Sequence, residues 1–228
     1  MRPVICMITD RRRLGGDVTE LIARVGAAAR AGVDLVQVRE RDLEGRALTE
    51  LVASCVEGVR GTRTRIIVND RLDVALASGA HGVHLRADSF LPERARAIAP
   101  AGFLVGRSVH GVDDALRATR SGSVDYLIFG TVFDTTSKPD RDAAGTGAVA
   151  DVARTTTIPV LAIGGITALL ARALEVVERV IAIVHAVVPV RVRPPAVRGR
   201  ALRAHGLRLT SSPLAFGLAI RPPPPAPA

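Results

Sequence analysis

RIIVNDRLDVALASGAHGVHLR, residues 65–86, holds one complete fold unit. A short β-branched apolar run ends in Asn69 and Asp70. A segment rich in Ala and Leu with helical periodicity follows, then a second apolar run that ends at His84. The same order recurs from residue 4 to about 167. The apolar runs are VICMITD (4–10), LVQVRE (35–40), FLVGRSVH (103–110), YLIFGTVF (126–133) and PVLAIGG (159–165), with segments such as TELIARVGAAARAG and VDDALRATRSG between them. Runs that read as continuous apolar stretches belong to strands buried on both faces, as in a parallel sheet covered by helices. Alternation of strand and helix sets the class as α/β. Seven such runs and a candidate eighth, VIAIVHAV (180–187), make eight units, the number that closes a (β/α)8 TIM barrel. Polar residues stand where the runs end: Asp10, Arg39 and Glu40, Asn69 and Asp70, His84, Ser108 and His110, Thr131, Gly164 and Gly165. A barrel gathers all of these ends on one face, whereas an open sheet uses only those near its switch point.

The rest of the chain sets bounds on this reading. Its 228 residues suit one large α/β domain, and with aromatics at 3% the core must be built from Val, Ile, Leu and Ala. No secretory h-region follows Arg11–Arg13, and no apolar run reaches the roughly 20 residues of a spanning helix. Cys6 and Cys55 have neither metal spacing nor a partner motif, so both are expected to be reduced core residues of a cytoplasmic chain. The net charge of +9 is unevenly spread. Up to Glu178, the last acid, 23 basic residues face 22 acidic ones; after it come eight arginines and no acid. The charge therefore belongs to one segment, and neither a specific nucleic-acid interface nor a membrane partner is expected. The expected division is a barrel domain, 1–188, with an atypical eighth unit, and an irregular Arg/Pro-rich tail, 189–228. Nine of the fourteen prolines lie in that tail, the composition that high-GC coding sequence acquires when read in a shifted frame.

Thirty arginines and a single lysine make Lys138 conspicuous. Thr135, Thr136, Ser137 and Lys138 supply three hydroxyls, backbone N–H groups and a compact ammonium, which together suit a phosphate; a polar surface loop is the plain alternative. Gln37, Arg39 and Arg41 fall on one side of an extended chain by period 2, where an amide and two guanidiniums can hold a heterocycle and clamp a phosphate. The competing reading is a strand-end ion-pair set with Glu40 or Asp42. Asp70 is a plausible hard oxygen ligand for Mg²⁺, and Asn69-Asp70 could equally cap the next helix. Ser108 could donate to a phosphate, and Gly164-Gly165 would let backbone N–H groups approach one.

ITD (8–10), VQVRER (36–41), VNDRLDVALASGAHGVHL (68–85), GRSVH (106–110), FGTVFDTTSK (129–138) and IPVLAIGGIT (158–167) occur in that order. Together they resemble the thiamine-phosphate synthase and thiazole tautomerase superfamily over residues 4 to 167. The resemblance implies a (β/α)8 barrel, Mg²⁺, phosphorylated small-molecule substrates, and transfer of hydroxymethylpyrimidine from its pyrophosphate ester to a thiazole phosphate. It implies that Gln37 holds the pyrimidine, that Arg39 and Arg41 face the pyrophosphate, and that Asn69 and Asp70 serve substrate and metal. Ser108, Thr135, Ser137 and Lys138 would bind pyrophosphate, and Gly164 and Gly165 the thiazole phosphate. The synthase pattern HLGQED is here HLRADSF, with Asp88 the nearest substitute for a second metal ligand. Arg107 and the DSFLP turn resemble the tautomerase branch, yet that branch places a histidine after FG where Thr131 stands, and a threonine is no general base at neutral pH. In the eighth run, His185 stands about where a serine is usual. The synthase is the first expectation. A tautomerase-like isomerase and a non-catalytic phosphate-ligand-binding barrel are the alternatives, and a homo-oligomer is left open.

Overall fold

Helices that cover a parallel sheet on one side, and side chains that fill it on the other, account for most of the core. The computed structural model describes residues 4–134 and 143–165, and the backbone of 215–220. Its strands are β1 (Val4–Ile8), β2 (Leu35–Val38), β3 (Arg65–Asn69), β4 (Gly82–Leu85), β5 (Leu104–Val109), β6 (Tyr126–Gly130) and β7 (Val160–Ile163). Between them run α1 (Val18–Arg30), α2 (Gly45–Gly58), α3 (Leu72–Ala77), α4 (Pro92–Ile98), α5 (Val112–Thr119) and α6 (Gly145–Thr155). Each strand pairs in parallel with the next, from β1 to β7.

The molecule is thus a parallel α/β protein with a curled seven-stranded sheet. A further strand, β8 (Ala215–Ile220), runs antiparallel to both β1 and β7 and returns the sheet to its start. Eight parallel strands were expected, with the eighth at 180–187. That run lies outside the described residues, and the segment that meets β1 and β7 comes from within 189–228. An exposed sheet edge accepts either strand direction, because its N–H and C=O groups only need partners.

Alternation along the strands sorts the core into two layers. Val36, Val38, Ile66, Val68 and Val83 pack with Leu21, Val25, Leu48, Leu51, Val52 and Cys55 of the helices. Their strand neighbours Cys6, Leu35 and Ile67 pack with Tyr126 and Ile128. Both cysteines are buried and unpaired, and burial pushes each thiol up to about 12. Local chemistry sets the helix starts. Asp17 caps α1 by accepting from Thr19 N at 2.8 Å and Glu20 N at 3.2 Å, and Pro92 opens α4 where its missing N–H costs nothing. His81 closes the α3–β4 turn by accepting from Ile66 N at 2.9 Å, a structural role.

Tyr126 is the single tyrosine of the chain, and its ring fills the space that Gly106 leaves on the adjacent strand. A methyl group built on Gly106 would overlap that ring. Gly106→Ala is therefore expected to cost about 1–3 kcal/mol through overpacking, read as a lower denaturant midpoint with an unchanged slope. An unaltered midpoint would show that the ring lies elsewhere.

Candidate active site

The C-terminal strand ends carry the polar side chains, and those of β2 to β5 interlock. Gln37 on β2 is 3% exposed, and its Nε2 donates to Asn69 Oδ1 on β3 at 2.9 Å. His84 on β4 is 2% exposed; its Nε2 lies 2.9 Å from Ser108 Oγ on β5, and its ring stacks on Tyr126 with centroids 5.6 Å apart. Each pair leaves one buried atom unsatisfied. Gln37 Oε1 and His84 Nδ1 have no hydrogen-bond partner among the described residues. Buried polar atoms are nearly always paired, and leaving one bare costs about 1–3 kcal/mol. Two such atoms at the strand ends of one sheet mark a place where a polar ligand or water completes the bonding.

Burial, and then the Arg107 guanidinium, push His84 down to about 3, so it is neutral at physiological pH. A neutral ring has one N–H and one bare nitrogen. If Nε2–H donates to Ser108, then Nδ1 is an acceptor and the serine hydroxyl remains able to donate onward.

The cationic rim is built next to this. Arg39 is half-buried just beyond β2, and its backbone N–H donates to Thr9 Oγ1 at 3.0 Å. Burial first, and Arg41 second, make its charged form less favourable, the situation an anion relieves. The strand ends at Val38, so Arg41 sits in an exposed turn and the period-2 argument reaches only Arg39. Arg41 remains close enough for the two charges to interact. The acids flanking this pair are engaged elsewhere. Glu40 is buried and accepts from Thr9 Oγ1 at 2.6 Å and from Arg11 N at 3.0 Å, while Asp42 pairs with Arg11 at 2.7 Å. The carboxylates read as ion-pair partners for the β2 arginines instead tie the end of β1 to β2.

Asp70 follows β3 with a left-handed backbone, φ 59°, and its N–H donates to His84 O at 2.9 Å. Positive φ is uncommon for a residue with a side chain and is concentrated at functional positions. One carboxylate oxygen accepts from Ser89 Oγ, and the other lies 3.5 Å from Arg86 NH1. Asp88 meets Arg86 through both of its oxygens, with Arg86 Nε donating to Oδ1 at 2.9 Å. The proposed second metal ligand is thus matched to a guanidinium. Arg107 fixes the same loop by donating to the carbonyls of Phe90 at 2.7 Å and Ala87 at 2.8 Å.

At the far side, Gly164 and Gly165 have φ of 106° and 66°. A side chain on either would strike the 131–134 segment, and Gly164 O accepts from Phe133 N at 3.0 Å. The close approach that these glycines permit is thus used by their own neighbour loop. Thr135, Ser137 and Lys138 lie outside the described residues. Two residues of this face carry a signal in the sequence as well. His84 sits two positions after an interior-facing glycine on β4, and Arg86 stands two positions before Asp88, close enough to pair with it.

A parallel barrel-type sheet with amide, imidazole and guanidinium groups gathered at its strand ends defines an enzyme-like binding protein of the α/β class. A model of the family described as thiamine monophosphate synthase matches residues 5–188. The thiamine-phosphate synthase of Methanoculleus marisnigri is 40% identical over 163 residues, 71% of this chain and 76% of that one. That of Roseiflexus castenholzii is 39% identical over 167 residues, 73% and 72% respectively. The solved thiamine phosphate pyrophosphorylase of Pyrococcus furiosus superposes with a TM-score of 0.65 at 33% identity, covering 75% of this chain and 79% of that one. The chain belongs to the thiamine monophosphate synthase family.

The His84 burial has a pH signature. Below the ordinary histidine value of 6.5 the unfolded chain takes up a proton that the fold excludes until about 3. Stability contributed this way is complete above 6.5 and falls as pH drops toward 3. The acid loss of stability is expected to be shallower in His84→Gln than in the unaltered chain, measured by urea unfolding at several pH values. Equal slopes would place His84 in water.

Proposed function

We propose that the chain is a transferase of thiamine biosynthesis that joins hydroxymethylpyrimidine, delivered as its pyrophosphate ester, to a thiazole phosphate and releases pyrophosphate. The family and its relatives support the reaction. The observation that carries the site is the pair of buried unsatisfied atoms, Gln37 Oε1 and His84 Nδ1. An aminopyrimidine offers N–H donors to such acceptors, and Asn69 holds the Gln37 amide in position from the other side.

When the C–O bond to pyrophosphate breaks, positive charge develops on the pyrimidine methylene and negative charge on the leaving group. Catalysis is then mainly electrostatic and positional. Arg39 and Arg41 face the leaving group; Arg39, half-buried and close to a second cation, gains most from a polyanion. With the His84 Nε2–H donating to it, Ser108 keeps its own hydroxyl hydrogen for the same oxygens. Thr135, Ser137 and Lys138 complete the pyrophosphate cradle, and the ammonium of Lys138 acts as its mobile point charge. Gly164 and Gly165 turn the end of β7 so that backbone N–H groups take the thiazole phosphate.

Asp70 is the carboxylate that would hold Mg²⁺, which would supply further charge to the leaving pyrophosphate. Among the described residues no three acidic, histidine or cysteine side chains gather as a metal set. The fit is therefore to a magnesium held by one carboxylate and by substrate phosphates, a common arrangement. Thr131 at the end of β6 is buried and has no proton-carrying group for neutral pH, so a tautomerase-type isomerase has less support. The buried thiols suit a reducing cytoplasm.

Incubation of the whole chain with both substrates is expected to give thiamine phosphate in the presence of Mg²⁺ and little without it. Lys138→Ala is expected to lower kcat about 100-fold or more, as for loss of a transition-state charge contact. Gln37→Leu is expected to lower kcat/KM about 10–100-fold, since it leaves the heterocycle unpaired. Unchanged kinetics in both variants would refute the assignment of this site.

A further inference from the structure

The strand-end loop 86–90 contains a cation of its own. Arg86 NH1 lies 3.5 Å from Asp70 Oδ2, and the same guanidinium is gripped by both oxygens of Asp88. Asp70 Oδ1 accepts from Ser89 Oγ, and Ser89 Oγ also accepts from Arg86 N at 2.9 Å. Both oxygens of Asp70 are thus engaged by two residues of one loop, and Arg107 holds that loop through the carbonyls of Ala87, Ser89 and Phe90. The Arg86 guanidinium lies beside the Asp70 oxygen that Ser89 leaves open. It remains partly exposed, so it can leave for an incoming anion.

We propose that Arg86 is a resident cation on Asp70 that weakens divalent-metal binding to the free enzyme and releases Asp70 when the pyrophosphate group of the substrate draws the guanidinium toward itself. This rests on the reading of Asp70 as the metal-holding carboxylate. Arg86 and Asp88 then form a paired device. Asp88 offers the guanidinium a second carboxylate and lowers its hold on Asp70, and the polyanion offers it a third, more highly charged partner. A guanidinium suits this exchange because it binds carboxylate and phosphate with the same fork of donors and keeps its charge throughout. Metal and diphosphate consequently enter together, and the free enzyme does not hold Mg²⁺ in advance.

Mn²⁺ is the probe, its free concentration read by electron paramagnetic resonance against the full-length chain without substrate. Arg86→Gln is expected to bind Mn²⁺ about tenfold more tightly than the unaltered chain, since it removes a charge a few ångströms from the ligand. Asp88→Asn, which leaves Arg86 with Asp70 alone, is expected to bind it about threefold or more weakly, and it serves as the test if Arg86→Gln does not fold. Inorganic pyrophosphate, titrated calorimetrically in chelator, is expected to lose about tenfold in affinity in Arg86→Gln, as for a charge-assisted contact. Equal Mn²⁺ affinity in Arg86→Gln and the unaltered chain, with binding abolished by Asp70→Asn, overturns the role of Arg86 and leaves the metal reading standing. Mn²⁺ bound equally by Asp70→Asn overturns both. Pyrophosphate affinity indifferent to Arg86 overturns the exchange.

Discussion

Burial of both faces of a parallel strand is the constraint on which this molecule depends. Once helices cover one face and side chains fill the other, a strand has no room for polar groups except at its ends. Val36, Val38, Ile66 and Val68 meet the helices, while Leu35 and Ile67 point to the other layer. The exceptions on these strands are informative because each is costly. Gln37 and His84 lie on the interior layer, one position or less from the strand end, and each is half satisfied by a neighbouring strand. A core that needs only apolar filling would have used leucine at both places. A ligand that completed the bonding would recover that free energy, which is why the two atoms point to a candidate site.

The fold was legible in the sequence because its signal repeats. Each apolar run ends in polar residues and precedes a helical segment, and the seven runs read in the sequence are the seven parallel strands. The closing strand was not legible. A strand added antiparallel at an edge needs only a free backbone edge and a short apolar run, and PLAFGLAI (213–220), which contains β8, is one. Nothing in local pattern separates it from VIAIVHAV, because the edges of β1 and β7 that 215–220 meets lie far away in the sequence.

The site was legible to a different degree at each residue. Gln37, Asn69, Asp70 and Ser108 stand at the strand ends where pattern and resemblance set them. Arg41 shows the limit of a period-2 argument: it holds only while the backbone stays extended, and β2 ends at Val38. Glu40 shows another limit. Its neighbours in sequence are two arginines, but its partners in space are Thr9 and the Arg11 backbone, thirty residues away. Pairing across strands depends on register, which the sequence does not print. His84 is a third case, since only the β4–β5 register brings Ser108 to its ring.

Arginine dominates this chain, and the geometry shows what that choice does at the site. A guanidinium has donors enough to serve two partners at once, as Arg86 does with Asp70 and Asp88 and as Arg107 does with three carbonyls. Such a residue positions loops and can exchange one anion for another without losing its charge, but its planar fork is a poor substitute for a small mobile ion. A leaving pyrophosphate spreads its charge over oxygens that shift as the bond breaks, and a compact ammonium on a flexible stem can follow them. Lysine stands at residue 138 alone and arginine at the other thirty basic positions, so this chain has one ammonium side chain that could take that part in the proposed reaction. On the proposed reaction the arginines would hold the polyanion in place while the lysine follows its charge as it moves.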